Sequence, residues 1–180
     1  SGNNLPERFS TGFQIAELGF GTGLNLLVAL AAWRKSGVKG VLYFTSFEAF
    51  PLTPEQMIIA HQAFPEIKEI ATELASLWGN TITLPDLKFD LILGDARDTL
   101  PAWHKKADAW FLDGFAPTKN PELWEPTLMA DVAQHTKPGG SCATYTAAGF
   151  VRRSLQKAGF SITRTPGFGR KRHMTKGTIQ

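Results

Sequence analysis

The sequence predicts an α/β protein with a mostly parallel central sheet, helices on both faces and a C-terminal antiparallel hairpin. Three observations lead to that class. Short apolar segments that end in Gly, Asp or Glu alternate with segments of helical pattern, the order of successive βαβ units. The first strand passes through a glycine-rich turn straight into a helix. The last helix is followed by two strands in quick succession, which adds a hairpin to the sheet. At 180 residues, with no repeat, linker or low-complexity stretch, the chain reads as one domain over 1–180.

The elements follow in order. Residues 13–18 form a strand, and 24–33 carry apolar residues with few breakers, as a helix does. Residues 41–47 are β-branched and aromatic, hence a second strand. Thr53-Pro54-Glu55-Gln56 has the form of a helix start, with Thr53 as cap and Pro54 at the first position. A further helix runs over 65–78. Strands over 89–93 and 109–112 end at Gly94-Asp95 and Asp113-Gly114. A helix over 121–134 leads to the turn Pro138-Gly139-Gly140 and a strand over 141–146. A helix over 150–158 and strands over 160–165 and 172–178 complete the chain.

Composition narrows the function classes. A hydrophobic fraction of 43% with 19% charged residues is that of an ordinary soluble globular protein, and no apolar run approaches the roughly 20 residues of a membrane span. The start, Ser1 to Arg8, lacks the basic-then-apolar pattern of an export signal. Cys142 is the only cysteine, so no internal disulfide forms, which suits a reducing, cytoplasmic setting. His61, His104, His135 and His173 match no metal-ligand spacing, so no metal is expected. Net charge is +3, but Arg152, Arg153, Lys157, Arg164, Arg170, Lys171, Arg172 and Lys176 crowd into the last 30 residues. Such a cluster either neutralises nucleic-acid phosphates or is a solvated surface of ordinary charge scatter.

Glu17-Leu18-Gly19-Phe20-Gly21-Thr22-Gly23 is the strongest local signal. A strand that turns sharply into a helix while a ligand approaches its backbone needs residues without a Cβ, and the helix start behind it offers unpaired N–H groups. Nicotinamide-binding folds use G-x-G-x-x-G, with pyrophosphate at the helix start. Here Leu24 occupies the sixth position and the third glycine comes one residue early. The tighter G-x-G-x-G form after an acid resembles the first motif of class I methyltransferases, which bind the cationic S-adenosylmethionine. A tight turn with no ligand is the alternative.

Four strand ends carry a carboxylate: Glu17, Glu48, Asp95 and Asp113. Ligands of open α/β sheets bind beyond these ends. Glu48 is placed to accept from ribose hydroxyls, and Asp95 from an adenine amine. Asp113 opens Asp113-Gly114-Phe115-Ala116-Pro117, a loop suited to hold a planar substrate, and could orient an acceptor amine and take up its proton. Singly, each acid is equally well a helix cap or a surface residue; four in register are hard to explain as caps alone.

Together with Ser46-Phe47-Glu48, residues 110–117, 147–153 and 166–172, the glycine turn resembles the methyltransferase domain of the MnmC family, bifunctional tRNA 5-methylaminomethyl-2-thiouridine biosynthesis proteins. The resemblance covers nearly the whole chain. It implies a Rossmann-like class I methyltransferase fold and transfer of a methyl group from S-adenosylmethionine to the amine of 5-aminomethyl-2-thiouridine in tRNA. By position it implies a cofactor site of Glu17, Gly19, Phe20, Gly21, Thr22, Gly23, Asn25, Glu48, Asp95 and Ala96. Asp113 becomes the catalytic carboxylate, with Phe115 and Pro117 shaping the uridine pocket. Arg170, Lys171 and Arg172 become tRNA contacts, although they could equally support the fold.

The sequence departs from that pattern in three ways. It starts without the segment that precedes Leu5-Pro6-Glu7-Arg8-Phe9 in relatives. Its connection between Trp78 and Phe89 is shorter than expected, as though a loop or strand were absent. It also lacks the fused FAD-dependent oxidoreductase domain, so the precursor amine is expected from another protein or route, a separate or fused flavin oxidoreductase being one such source. Three other readings remain open. One is a methyltransferase of this fold acting on a small molecule or protein. The second is a nicotinamide oxidoreductase, disfavoured by Leu24. The third is a tRNA-binding subunit without catalysis, disfavoured by intact Glu48, Asp95 and Asp113.

Overall fold

A computed structural model describes residues 2–113, 117–167 and 173–180. Among these, the strands are β1 (Gln14–Leu18), β2 (Leu42–Glu48), β3 (Thr81–Leu84), β4 (Leu87–Leu93), β5 (Ala107–Phe111), β6 (Thr136–Thr144), β7 (Ser161–Pro166) and β8 (His173–Thr178). The helices are α1 (Leu5–Arg8), α2 (Leu24–Ser36), α3 (Pro54–His61), α4 (Lys68–Leu74), α5 (Ala96–Thr99), α6 (Pro126–Gln134) and α7 (Gly149–Lys157). One sheet runs in the order β3-β4-β2-β1-β5-β6-β8-β7. Its centre, from β4 to β6, is parallel, and β3, β8 and β7 pair antiparallel with their neighbours. The expected C-terminal hairpin is present, with β8 inserted between β6 and β7.

The chain begins its sheet in the middle. From β1 it moves outward through β2 to β4, then returns to the other side of β1 with β5 and β6. The strand order therefore reverses between β1 and β5, and the carboxyl ends of the strands beside such a reversal are where open α/β sheets bind their ligands.

Alternate residues of the central strands enter two cores, which is why these strands are buried on both faces. Ile15, Phe44, Phe89 and Ala109 pack with Leu26, Leu27, Leu30 and Trp33 of α2, Met57 of α3 and Leu74 of α4. Ala16, Leu18, Trp110 and Cys142 pack on the opposite face with Ala96 of α5, Leu128 and Val132 of α6, and Val151 and Leu155 of α7. Helices thus cover both faces, as the sequence predicts.

Four local expectations are corrected. The Trp78–Phe89 connection carries a strand beyond those expected: β3 folds back on β4 across a tight turn, pairing Thr81 with Asp90 and Leu84 with Leu87. Too few residues separate the two strands for their pattern to stand out. Pro138-Gly139-Gly140 is not a turn ahead of its strand but an irregularity inside β6, where the register against β5 shifts between Ala107 and Ala109. The helix expected over 121–134 is divided. Residues Pro121–Trp124 form a 3₁₀ turn, and Glu125, at φ −63° and ψ 149°, is extended because it precedes Pro126. The helix expected over 65–78 opens with a 3₁₀ turn, Pro65–Ile67, and ends at Leu74. Among the described residues, no helix is long and apolar enough to cross a membrane.

Candidate cofactor and active site

Sheet register brings the expected acids to one edge. Glu17 of β1 lies opposite Ser46 of β2 and Phe111 of β5, and Glu48, last in β2, lies opposite Leu93 of β4. Asp95 and Asp113 each follow two residues after their strands, β4 and β5. The four carboxylates thus end four adjacent strands, β4-β2-β1-β5, across the reversal point.

The glycine-rich loop crosses this edge. Gly19, Gly21 and Gly23 have φ of 82°, 53° and 73°, which is the physical reason for glycine at each. The N–H of Gly19 donates to the Phe47 carbonyl at 2.8 Å, carrying the β1–β2 ladder one step past the strand. A Cβ on Gly21 would meet nothing within 4 Å, so the loop's outer face is open. One on Gly23 would lie 2.9 Å from Phe20 Cζ and 3.0 Å from Met57 Cε. Gly23 also caps α2, without any side-chain cap and with no acid in the first turn, so the positive end of the helix faces the edge unneutralised.

Glu48 is tied to that loop. Its Oε2 accepts from the N–H groups of Phe20 at 2.9 Å and Gly21 at 3.2 Å, and its Oε1 from Phe50 N–H at 2.9 Å. Glu17 is only 1% exposed and is held by Asn25 Nδ2 on one oxygen and Ser46 Oγ on the other, each at 2.8 Å. Burial pushes its carboxyl up to about 8, against the two donated hydrogen bonds, and the Asp113 and Glu48 carboxylates raise it further. Asp113 accepts from the Tyr145 N–H at 3.1 Å, and burial raises it to about 6. Among the described residues, Glu17, Glu48 and Asp113 pair with no Lys or Arg.

Asp95 is different. It caps α5 by accepting from Arg97 N–H at 2.9 Å, and Arg97 pairs with it at 2.6 Å, holding its carboxyl below the usual range. The helix-cap alternative therefore describes its present contacts. Ala96 beside it is buried. Phe20 contributes its backbone to the edge while its ring stacks on Phe89 at 4.9 Å, in the core. The Thr22 carbonyl is held from below by His61 Nε2 at 2.6 Å. Pro117 is half-buried at the start of a turn. Phe115, Arg170, Lys171 and Arg172 lie outside the described residues.

Four residues of this edge escaped the sequence reading. Ser46 stands within the Ser46-Phe47-Glu48 motif, so its signal was present. His61 and Tyr145 gain their contacts only through folding, 39 residues from Thr22 and 32 from Asp113. Phe50 is 88% exposed just past Glu48, an unusual position for a large apolar ring that only burial data reveal.

A reversal point with a glycine loop, an open helix start and three carboxylates that pair with no Lys or Arg among the described residues suits a ligand with both cationic and anionic groups. A family model described as S-adenosyl-L-methionine-dependent methyltransferase matches residues 61–180, and the chain belongs to that family. Two relatives are both named tRNA 5-methylaminomethyl-2-thiouridine biosynthesis bifunctional protein MnmC. The protein from Hahella chejuensis is 44% identical over all of this chain, and that from Aliivibrio fischeri is 44% identical over 98% of it. The chain spans about a third of their length, 31% and 29%. The crystal structure of MnmC2 from Aquifex aeolicus superposes with a TM-score of 0.76 at 31% identity, covering 97% of this chain and 55% of that one. The fold is thus that of class I methyltransferases, and S-adenosylmethionine is the cofactor of the family.

Proposed function

We propose that this chain methylates the amine of 5-aminomethyl-2-thiouridine at the tRNA wobble position. The observation that carries the reading is the group of three carboxylates without a basic partner among the described residues, Glu17, Glu48 and Asp113, set around the glycine loop at the reversal point. The names of the 44%-identical relatives, which match 100% and 98% of this chain, support that acceptor.

The residues present fit the cofactor. A buried Glu17, hydrogen-bonded to Asn25 and Ser46 but with no Lys or Arg beside it among the described residues, suits an ammonium group, and the uncapped start of α2 suits a carboxylate. The open face at Gly21 leaves room for close approach to the backbone. When bound, S-adenosylmethionine supplies an electrophilic methyl carbon on a sulfonium. Gly19, Phe20, Gly21, Thr22, Gly23 and Asn25 shape its site with Glu17, while Glu48 accepts from the ribose hydroxyls. Asp95 and Ala96 form the outer end, where Asp95 shares its oxygens with Arg97.

Asp113 acts on the acceptor. An alkylamine is protonated near neutral pH and has no lone pair to attack with. A carboxylate raised to about 6 is ionised at neutral pH and a stronger base than an ordinary one, so Asp113 can hold the ammonium and receive the proton that the nitrogen must lose before it attacks. Phe115 and Pro117 would flank the uridine, and Arg170, Lys171 and Arg172 would meet the tRNA backbone. A flavin oxidoreductase, fused or separate, would supply the amine, and the reaction belongs in the cytoplasm.

The test is to incubate the protein with S-adenosylmethionine and tRNA carrying the unmethylated amine, then digest to nucleosides. Mass spectrometry should show that nucleoside heavier by one methylene and only that one changed. Methylation of a different nucleoside would replace the proposed acceptor.

A further inference from the structure

His61 is the last residue of α3, a helix whose start is fixed by a reciprocal cap between Thr53 and Gln56. Its ring is only 5% exposed, and Nε2 lies 2.6 Å from the Thr22 carbonyl oxygen. A carbonyl can only accept, so Nε2 carries the hydrogen; Nδ1 is buried without a partner among the described residues. Trp78 lies against the imidazole, with ring centroids 5.6 Å apart. Met57, one turn earlier on the same face, closes the space behind Gly23. Helix α3 therefore buttresses the exit of the glycine loop from beneath, through one directed bond from His61 and the packing of Met57.

We infer that His61 is a positioning residue for the cofactor loop. By holding the Thr22 carbonyl, while the Gly23 N–H donates to the Phe20 carbonyl at 2.9 Å, it fixes the peptide between Thr22 and Gly23 from its second side, and with it the direction of the α2 start. The inference rests on reading this loop as the S-adenosylmethionine site. His61 does not touch the cofactor; it acts through the backbone that does. A loop of three glycines has many conformations to lose on binding, so an external anchor raises affinity by removing them beforehand.

His61 also lines an open cavity of about 570 Å³ between α3 and α4. Equilibrium dialysis with labelled S-adenosylmethionine, alongside thermal melts, should compare the wild type with His61→Phe, His61→Gln and His61→Asn. Phenylalanine keeps the ring but cannot donate, so the Kd should rise about tenfold, the effect of one buried hydrogen bond. The glutamine amide reaches the position of Nε2 and should return affinity to within about threefold of wild type. Asparagine places its amide near Nδ1 instead and should stay as weak as phenylalanine. Nitrogen-15 NMR of the wild type should find the Nε2–H tautomer, with its resonance moving when cofactor is added.

Equal affinities in wild type and His61→Phe would overturn the role of His61 and leave the site standing. Equal losses in the glutamine and phenylalanine variants would reduce the residue to packing. Should His61→Phe fail to fold, the glutamine and asparagine pair decides by the same criterion. No binding by the wild type would defeat the loop's assignment and this inference with it.

Discussion

Glu48 carries the loop on one carboxylate edge, and its removal should be felt at the cofactor. Glu48→Ala deletes the acceptor of Phe20, Gly21 and Phe50 N–H groups, and should weaken cofactor binding by about 1–3 kcal/mol in calorimetry. Unchanged affinity would remove Glu48 from the site. Asp113→Asn should leave binding nearly intact and abolish most methyl transfer; in the wild type the rate should climb with pH through about 6, as the carboxyl ionises. Glu17 gives a third expectation. Its carboxyl is raised from 4.5 to about 8, so the folded chain holds a proton that the unfolded chain releases. That stabilises the ligand-free protein fully below about 4.5 and is lost as pH rises through about 8. Melting temperature should therefore fall across this window in the wild type, and Glu17→Gln should flatten the decline. The acids were legible in the sequence because each ends an apolar strand. Their partners were less so: Asp95 turned to Arg97, two residues on, a local bond that strand-end reasoning does not weigh.

At the scale of elements, the three glycines are not equivalent. Gly21→Ala places a methyl in open space at φ 53°, so it should cost only the backbone strain, about 1–2 kcal/mol of stability, while obstructing the cofactor's approach. Gly23→Ala adds a collision with Phe20 and Met57 to the same strain and should destabilise by about 1–3 kcal/mol more. Urea unfolding of the two variants separates these costs, and the reverse order would contradict the loop geometry. The motif made all three glycines visible without distinguishing them, since what stands behind Gly23 comes from α3 and Trp78. The long periodic elements were readable for the same reason that they are stable: each buries a regular apolar face. The hairpin of β3 and β4 was not, because Thr81 to Leu93 reads as one stretch with a turn of two residues, Pro85-Asp86, inside it.

For the whole molecule, the strand order matters most. Parallel crossovers set the reversal beside β1, and this places residues from four strands at one edge. The alternation of strands and helices foretold the layers, but no local pattern states which strand lies centrally. Charge is also arranged at this scale. Arg153 and Lys157 are exposed one turn apart on α7, whose first turn lies just past the carboxyl end of β6, and Arg164 is exposed on β7. If tRNA lies across this side, Arg153→Glu with Lys157→Glu should weaken tRNA binding. It should also lower the salt dependence by about one per charge removed, with cofactor affinity unchanged. Filter binding at several salt concentrations reads both quantities.

The central claim is that the glycine loop and its carboxylates form an S-adenosylmethionine site. Calorimetric titration with S-adenosylhomocysteine, with NAD as the comparison ligand, tests it most directly. Saturable binding of S-adenosylhomocysteine with one site per chain and none of NAD is the predicted result. Binding of NAD in its place, or of neither, would contradict it.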